Sequence, residues 1–215
     1  RLVTEGLGLS TLKLVIGTSM GGMHAWHWGY MYPEFAAGLV PMATNPVEIG
    51  GRNRVWRKML IDSIVADPSW NGGNYTEQPR GLAPALGFLL MATSVPLQWQ
   101  KQFPTIAETD TWLAGQIAAR TKATDANDML YYFRAIEDYN PAPHLSSIFA
   151  PLLAVNSADD FVNPPELRVM ETLIGQVKRG RFVLLPITDA TRGHGTHSLP
   201  AIWGAELVKF MAELK

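Results

Sequence analysis

The chain has 215 residues, room for one good-sized domain or for one domain with a large insertion. It is 47% hydrophobic and 17% charged, so it can fill a core, and its 18 basic and 19 acidic residues leave a formal net charge of −1. It has no block of like charge and no long apolar run, which argues against a nucleic-acid surface, a polybasic membrane patch or a membrane span; the lack of cysteine excludes disulfides, thiolate catalysis and cysteine metal sites.

Arg1 to Leu12 read as the end of a helix and a turn, and no signal peptide is visible. Lys13 to Ile16 form a short apolar run rich in β-branched residues and bounded by Gly17, the pattern of a buried strand. Met20 to Met31 read as a helix that Pro33 stops, and Ala37 to Ala43 as a second buried strand. From Asn45 to about Ser147 no clear strand appears. Arg52 to Ala66 have helical spacing, with Val55, Trp56, Met59, Leu60 and Ile64 on one side, and Asp67-Pro68 ends that stretch. A Gly72-Gly73 loop follows, then the uncharged stretch Gly81 to Val95, then helical stretches near Thr109 to Ala119 and Ala126 to Glu137.

Strand character returns at Leu152 to Val155 and again at Phe182 to Leu185. Between them a helix is expected from Pro165 to Val177. A last helix from Leu199 to Leu214 has Ser198 as its N-cap, and Trp203, Leu207, Phe210 and Leu214 as its apolar stripe. This order implies an α/β fold: a parallel sheet with helices on both faces, interrupted by a helical insertion.

Gly17-Thr18-Ser19-Met20-Gly21 matches G-x-S-x-G between a predicted strand and a predicted helix, the context of a nucleophile elbow. Such a turn is tight, so small residues must flank the serine, and Gly17, Gly21 and Gly22 meet that need. The helix start offers the Met20 backbone N–H to a developing oxyanion. A serine hydroxyl needs a base, and in this chain order an acid and then a histidine should follow. Asp159 and Asp160 follow the third strand. Asp160 is preferred because it stands four residues before Pro164, and Asp159 is the alternative. His194 and His197 follow the fourth strand. His194, in a Gly-His pair, is the preferred base and His197 the second choice. His24, His27 and His144 read as packing or hydrogen-bonding residues; no metal and no cofactor is expected.

The chain resembles the homoserine O-acetyltransferase branch of the α/β-hydrolases. The resemblance rests on Gly17 to Met23, Tyr32-Pro33-Glu34, Asp67 to Tyr75, Asp125 to Tyr132 and Ala135 to Tyr139. It implies that Ser19, Asp160 and His194 form the triad. It also implies an α/β-hydrolase core at 1–45 and 147–215, with a helical lid at 46–146. In that branch an arginine and a tyrosine seven apart on a lid helix help to hold homoserine, and an aspartate follows the catalytic histidine. Leu86, Thr93 and Gly195 stand at those positions here. An amino acid's charged ends need charged or bidentate partners, so the homoserine pocket looks lost, although Arg80 or Arg120 stands available.

Water is then the expected acceptor. The expectation is a serine hydrolase acting on a small-molecule carboxylic ester, with Leu82, Leu86, Phe88, Leu89, Leu90 and Met91 lining an apolar pocket or packing the insertion. The alternative is an O-acyltransferase using acyl-CoA, and a third reading is a non-catalytic binding protein on the same fold. The resemblance further implies an eight-stranded sheet of which only the last four strands are readable. The N-terminal half of the fold, with its second oxyanion donor, is therefore expected as a separate or removed piece and a partner of this one. The sequence leaves compartment and a homo-oligomeric state open.

Overall fold

The computed structural model describes residues 1–214. Two units separate within it: residues 1–48 with 139–214, and residues 49–138. The first holds four strands, β1 (Val15–Thr18), β2 (Leu39–Met42), β3 (Leu152–Ser157) and β4 (Gly180–Leu185). All pairs are parallel, in the order β1-β2-β3-β4. β2 and β3 are buried throughout, as their unbroken apolar runs require. β1 lies at the edge with Ile16 43% exposed. It starts later than the apolar run suggests, and Lys13 instead donates to the Leu214 carbonyl at 2.9 Å.

The sheet is covered on both faces, and strand alternation decides which residue meets which helix. Val40 and Met42 point one way. With Leu153, Val155 and Leu185 they bury Phe210 of α8 (Pro200–Glu213) and Leu214 just after it. Leu39 points the other way, towards α1 (Met20–Met31), where Gly29 lies so close that an added Cβ would stand 2.6 Å from a Leu39 methyl. No side chain caps α8: its N-cap is Leu199, and the Ser198 hydroxyl instead lies 3.2 Å from His197 Nδ1.

The helix expected over 165–177 is broken. A 3-10 turn at Pro165–Leu167 ends at Arg168, which adopts the left-handed conformation with φ 50°. Only Val169–Leu173 (α7) is α-helical, and a second 3-10 turn takes Ile174–Gln176. Leu167 is exposed rather than packed against the sheet. A left-handed arginine leaves no mark in periodicity.

The second unit is helical. It comprises α2 (Gly51–Val65), α3 (Leu82–Ala92), α4 (Pro96–Gln102), α5 (Ile106–Ala123) and α6 (Ala126–Arg134). The buried face of α2 is Trp56, Arg57, Leu60, Ile61 and Ile64, whereas Val55 and Met59 are exposed. Arg57 is buried on this face although the apolar spacing did not include it. Its guanidinium lies 4.5 Å from the Trp56 ring centroid and 5.3 Å from that of Phe133, and its Nε donates to Asn53 Oδ1 at 2.8 Å. Burial lowers its pKa to about 10. On α3, Leu82, Leu86 and Leu90 are buried while Met91 is exposed.

The loop Asp67 to Tyr75 is tied to the start of α6. Trp70 Nε1 donates to Asn127 Oδ1 at 2.9 Å, Asn127 Nδ2 to the Gly73 carbonyl at 3.0 Å, and the Tyr75 hydroxyl to Asp125 Oδ2 at 2.7 Å. Two segments far apart in sequence thus form one polar clasp. Among the described residues no single helix is long and apolar enough to cross a membrane.

Between β1 and α1 the chain reverses in one residue. A Cβ on Gly17 would stand 2.0 Å from the Gly21 carbonyl oxygen, and one on Gly22 would stand 2.7 Å from the Met42 carbonyl oxygen. Both positions need glycine for close backbone approach. Gly21 does not, since a Cβ there meets nothing within 4 Å, which corrects the expectation that all three glycines serve the turn. Gly17→Ala and Gly22→Ala should each cost roughly 1–3 kcal/mol or more of stability in denaturant unfolding, whereas Gly21→Ala should stay within about 0.5 kcal/mol. In the core, Phe210→Ala should cost roughly 3–5 kcal/mol, and Val208→Ala, on the exposed side of α8, within about 0.5.

Candidate active site

Parallel strands bring their carboxyl ends to one rim, and loops leaving that rim carry Ser19 after β1, Asp160 after β3 and His194 after β4. Ser19 is the whole turn between β1 and α1. Its φ of 54° and ψ of −116° lie outside the regions that a serine ordinarily adopts, a cost of order 1–3 kcal/mol that surrounding contacts must hold. They do so from both sides: the Ser19 N–H donates to the Met42 carbonyl at 2.8 Å, and the Met23 N–H donates to the Ser19 carbonyl at 3.0 Å. Met20 is the first residue of α1, so its N–H belongs to the group of helix-start donors with no partner inside the helix.

The Ser19 hydroxyl lies 2.8 Å from His194 Nε2, and His194 Nδ1 lies 2.9 Å from Asp160 Oδ2. A neutral imidazole with its proton on Nδ1 donates to the carboxylate and accepts from the hydroxyl, so the three groups form one chain of hydrogen bonds. The residues are 175 and 34 positions apart in sequence. His194 is 9% exposed and sits in a 3-10 turn, Gly193–Ser198. That turn is pinned by the Arg192 N–H donating to Thr196 Oγ1 at 2.8 Å and by the Gly195 N–H donating to the Arg192 carbonyl at 2.9 Å.

Asp160 is 2% exposed. Burial works against its charge, but the His194 hydrogen bond and charge, the Asn163 amide and the Val162 N–H outweigh burial and hold its pKa below the usual carboxylate range. The Val162 N–H donates to Oδ1 at 2.8 Å, and Asn163 Nδ2 to Oδ2 at 3.0 Å. Asp159 is not part of this chain: its Oδ1 accepts from the Ser157 hydroxyl.

His197 stands edge-on to His194, with ring centroids 5.4 Å apart, and its Nδ1 lies by Ser198 rather than Ser19. Burial first, and then the charge of His194, lower its pKa. Elsewhere in this unit His27 stacks on Tyr139 at 5.3 Å and His144 on Tyr30 at 4.6 Å. Among the described residues no three His, Cys, Asp or Glu side chains group to hold a metal ion.

Sequence reasoning missed Asn163 and Asn156. Asn156 Oδ1 accepts from the Thr44 N–H at 3.1 Å, and its Nδ2 donates to the Thr44 carbonyl at 3.3 Å and to Asn45 Oδ1 at 3.2 Å, which fastens the end of β2. Both asparagines stand inside or beside the segment that supplied Asp160. Only the spacing to Pro164 was readable there, because amide partners depend on a strand some 110 residues earlier in the chain.

No family model matches the chain. The homoserine O-acetyltransferase of Trichormus variabilis is 34% identical to it over 184 residues, 75% of this chain and 49% of that protein. Among solved structures, homoserine O-acetyltransferase from Bacillus anthracis matches with a TM-score of 0.87 at 21% identity, covering 99% of this chain and 63% of that one. Esterase E22 matches with a TM-score of 0.84 at 23% identity, covering 97% and 63%. The chain spans about half the length of the curated relatives it matches. In fold and in ancestry, this chain is an α/β-hydrolase of the homoserine O-acetyltransferase-like branch.

Proposed function

We propose that the chain carries the acyl-transfer machinery of a serine-dependent hydrolase that cleaves a carboxylic ester through an acyl-enzyme. Ser19 Oγ attacks the ester carbonyl while His194 Nε2 takes its proton. Asp160 holds the Nδ1 proton and balances the imidazolium that forms. The Met20 N–H donates to the oxyanion of the tetrahedral intermediate. His194 then returns the proton to the departing alcohol, and water, activated by the same imidazole, releases the acid and frees Ser19. The observation that carries this reading is the unbroken chain of 2.8 and 2.9 Å contacts from hydroxyl to buried carboxylate.

Water is preferred over an alcohol as acceptor because of which residues stand at the positions that the resemblance aligns with those holding homoserine. Leu86 is apolar, Gly195 has no side chain, and the Thr93 hydroxyl turns back to the Leu89 carbonyl of its own helix at 2.9 Å. Arg80 and Arg120 are exposed to solvent. The second reading is transfer of an acyl group from acyl-CoA to an alcohol, favoured by the activity named for the relatives. The lid role expected of residues 46–146 and a second oxyanion donor from a further part of the fold belong to this proposal as well.

A fluorophosphonate should label Ser19 stoichiometrically. His194→Ala should slow labelling by a factor of about a thousand or more, and Asp160→Asn by roughly a hundredfold or more, with His197→Ala leaving it unchanged. Loss of labelling in His197→Ala but not in His194→Ala would reverse the assignment of the base. Given acyl-CoA and a panel of alcohols, free acid should outpace acylated alcohol; the opposite ratio makes the protein a transferase.

The lowered Asp160 pKa also makes a stability statement. A carboxyl with a depressed folded-state pKa stabilises the fold above its unfolded value, about 3.9, and loses that contribution as pH falls through the folded value. Asp160→Asn should therefore flatten the acid limb of a Tm-against-pH curve below about pH 4.

A further inference from the structure

We propose that Asn163 is a positioning residue for the acyl-transfer chemistry: its side-chain amide bridges Asp160 Oδ2 and the Ala43 carbonyl, and so sets the rotation of the carboxylate against His194. The inference rests on the roles given above to Ser19, His194 and Asp160.

Asn163 is 7% exposed. Its Nδ2 lies 3.0 Å from Asp160 Oδ2 and 2.9 Å from the Ala43 carbonyl oxygen. A carboxamide nitrogen has two hydrogens, and both are used, one for each acceptor. Asp160 Oδ2 is the same oxygen that His194 Nδ1 approaches at 2.9 Å. Asn163 therefore acts on the oxygen that matters for the base, while the Val162 N–H holds the other one at 2.8 Å. Three donor atoms fix the carboxylate plane, and it cannot rotate away from the imidazole without breaking a buried hydrogen bond.

The far end of the bridge is equally fixed. Ala43 adopts the left-handed conformation with φ 50°, which a residue with a Cβ takes up only where its surroundings hold it. Its N–H donates to the Val155 carbonyl at 2.9 Å, and Asn156 clamps the next residue, Thr44, on both its N–H and its carbonyl. The unusual backbone of Ala43 accompanies a carbonyl turned towards Asn163 rather than along the sheet. Asn163 thus anchors the acid to β2, the strand next to the one that carries Ser19.

The amide does a second thing. A donor on Oδ2 withdraws electron density from the oxygen facing His194, so the carboxylate attracts the added proton of the imidazolium less strongly. Removing the donor should strengthen that attraction for the proton the attack delivers.

The test is the pH dependence of fluorophosphonate labelling of Ser19 in the full chain, read for Asn163→Ala and for Asn163→Ser, which keeps one donor. Asn163→Ala should lower the plateau rate by roughly 10–100-fold, as a small misplacement of reacting groups does, and should move the acid-side inflection to higher pH. Asn163→Ser should lie between Asn163→Ala and the unaltered chain in both readouts. If Asn163→Ala fails to fold, the serine variant alone carries the test. An inflection that stays put while the plateau falls would reduce Asn163 to a brace of the loop and overturn the proposal, as would unchanged values of both. No labelling of the unaltered chain at any pH would instead sink the reading of Ser19 as nucleophile; normal labelling there with unaltered variants sinks only the role of Asn163.

Discussion

A carboxylate 2% exposed stays ionised only if donors replace the water it has lost, and the loop after β3 is arranged around that requirement. Asp160 has three such donors: the His194 ring, the Asn163 amide and the Val162 N–H. The same contacts that keep the charge also fix the direction of the His194 ring. With Nδ1 committed to the carboxylate, Nε2 is left facing Ser19. Charge, tautomer and ring orientation are thus consequences of one buried ion and its partners.

The opposite end of the chain of hydrogen bonds depends on backbone rather than on charge. Ser19 holds φ 54° in a turn of a single residue, which is feasible because Gly17 and Gly22 let the strand, the helix and β2 approach to distances that no Cβ would allow. The hydroxyl is carried on a strained but well-tied turn and the imidazole on a 3-10 turn, so neither depends on a mobile side chain to reach the other. Placing a site on braced elements of this kind reduces the entropy lost when the reacting geometry forms.

The helical unit follows a different logic. Its polar clasp between the Asp67 to Tyr75 loop and the start of α6 satisfies the donors of that helix start: Asp125 accepts from the N–H groups of Asn127 and Asp128 while also taking the Tyr75 hydroxyl. Arg57 lies on the buried face of α2 with its guanidinium against the Trp56 and Phe133 rings. The apolar spacing of α2 therefore located a helix but misjudged its inner face by about one residue, because a guanidinium over Trp56 can be buried where Val55 is not.

Local pattern was enough for the four strands, the span of α1 and the parallel sheet with helices on both faces. These features depend on apolar runs, on proline and glycine stops and on short motifs, all of which act within a few residues. The resemblance carried by Gly17 to Met23 and by the loop segments led to the same branch of the fold that the relatives occupy. What needed the folded chain was everything set by distant partners. Local spacing already favoured Asp160 over Asp159 and His194 over His197, but the hydrogen bonds that join Asp160, His194 and Ser19 exist only in the folded sheet. The left-handed Arg168 that breaks the expected helix, the openness around Gly21, and the amide bridge from Asn163 to Ala43 likewise have no local signature. Hydrogen bonds between residues 34 to 175 positions apart exist only once the sheet has brought its strand ends to one rim, and no window of sequence contains both partners.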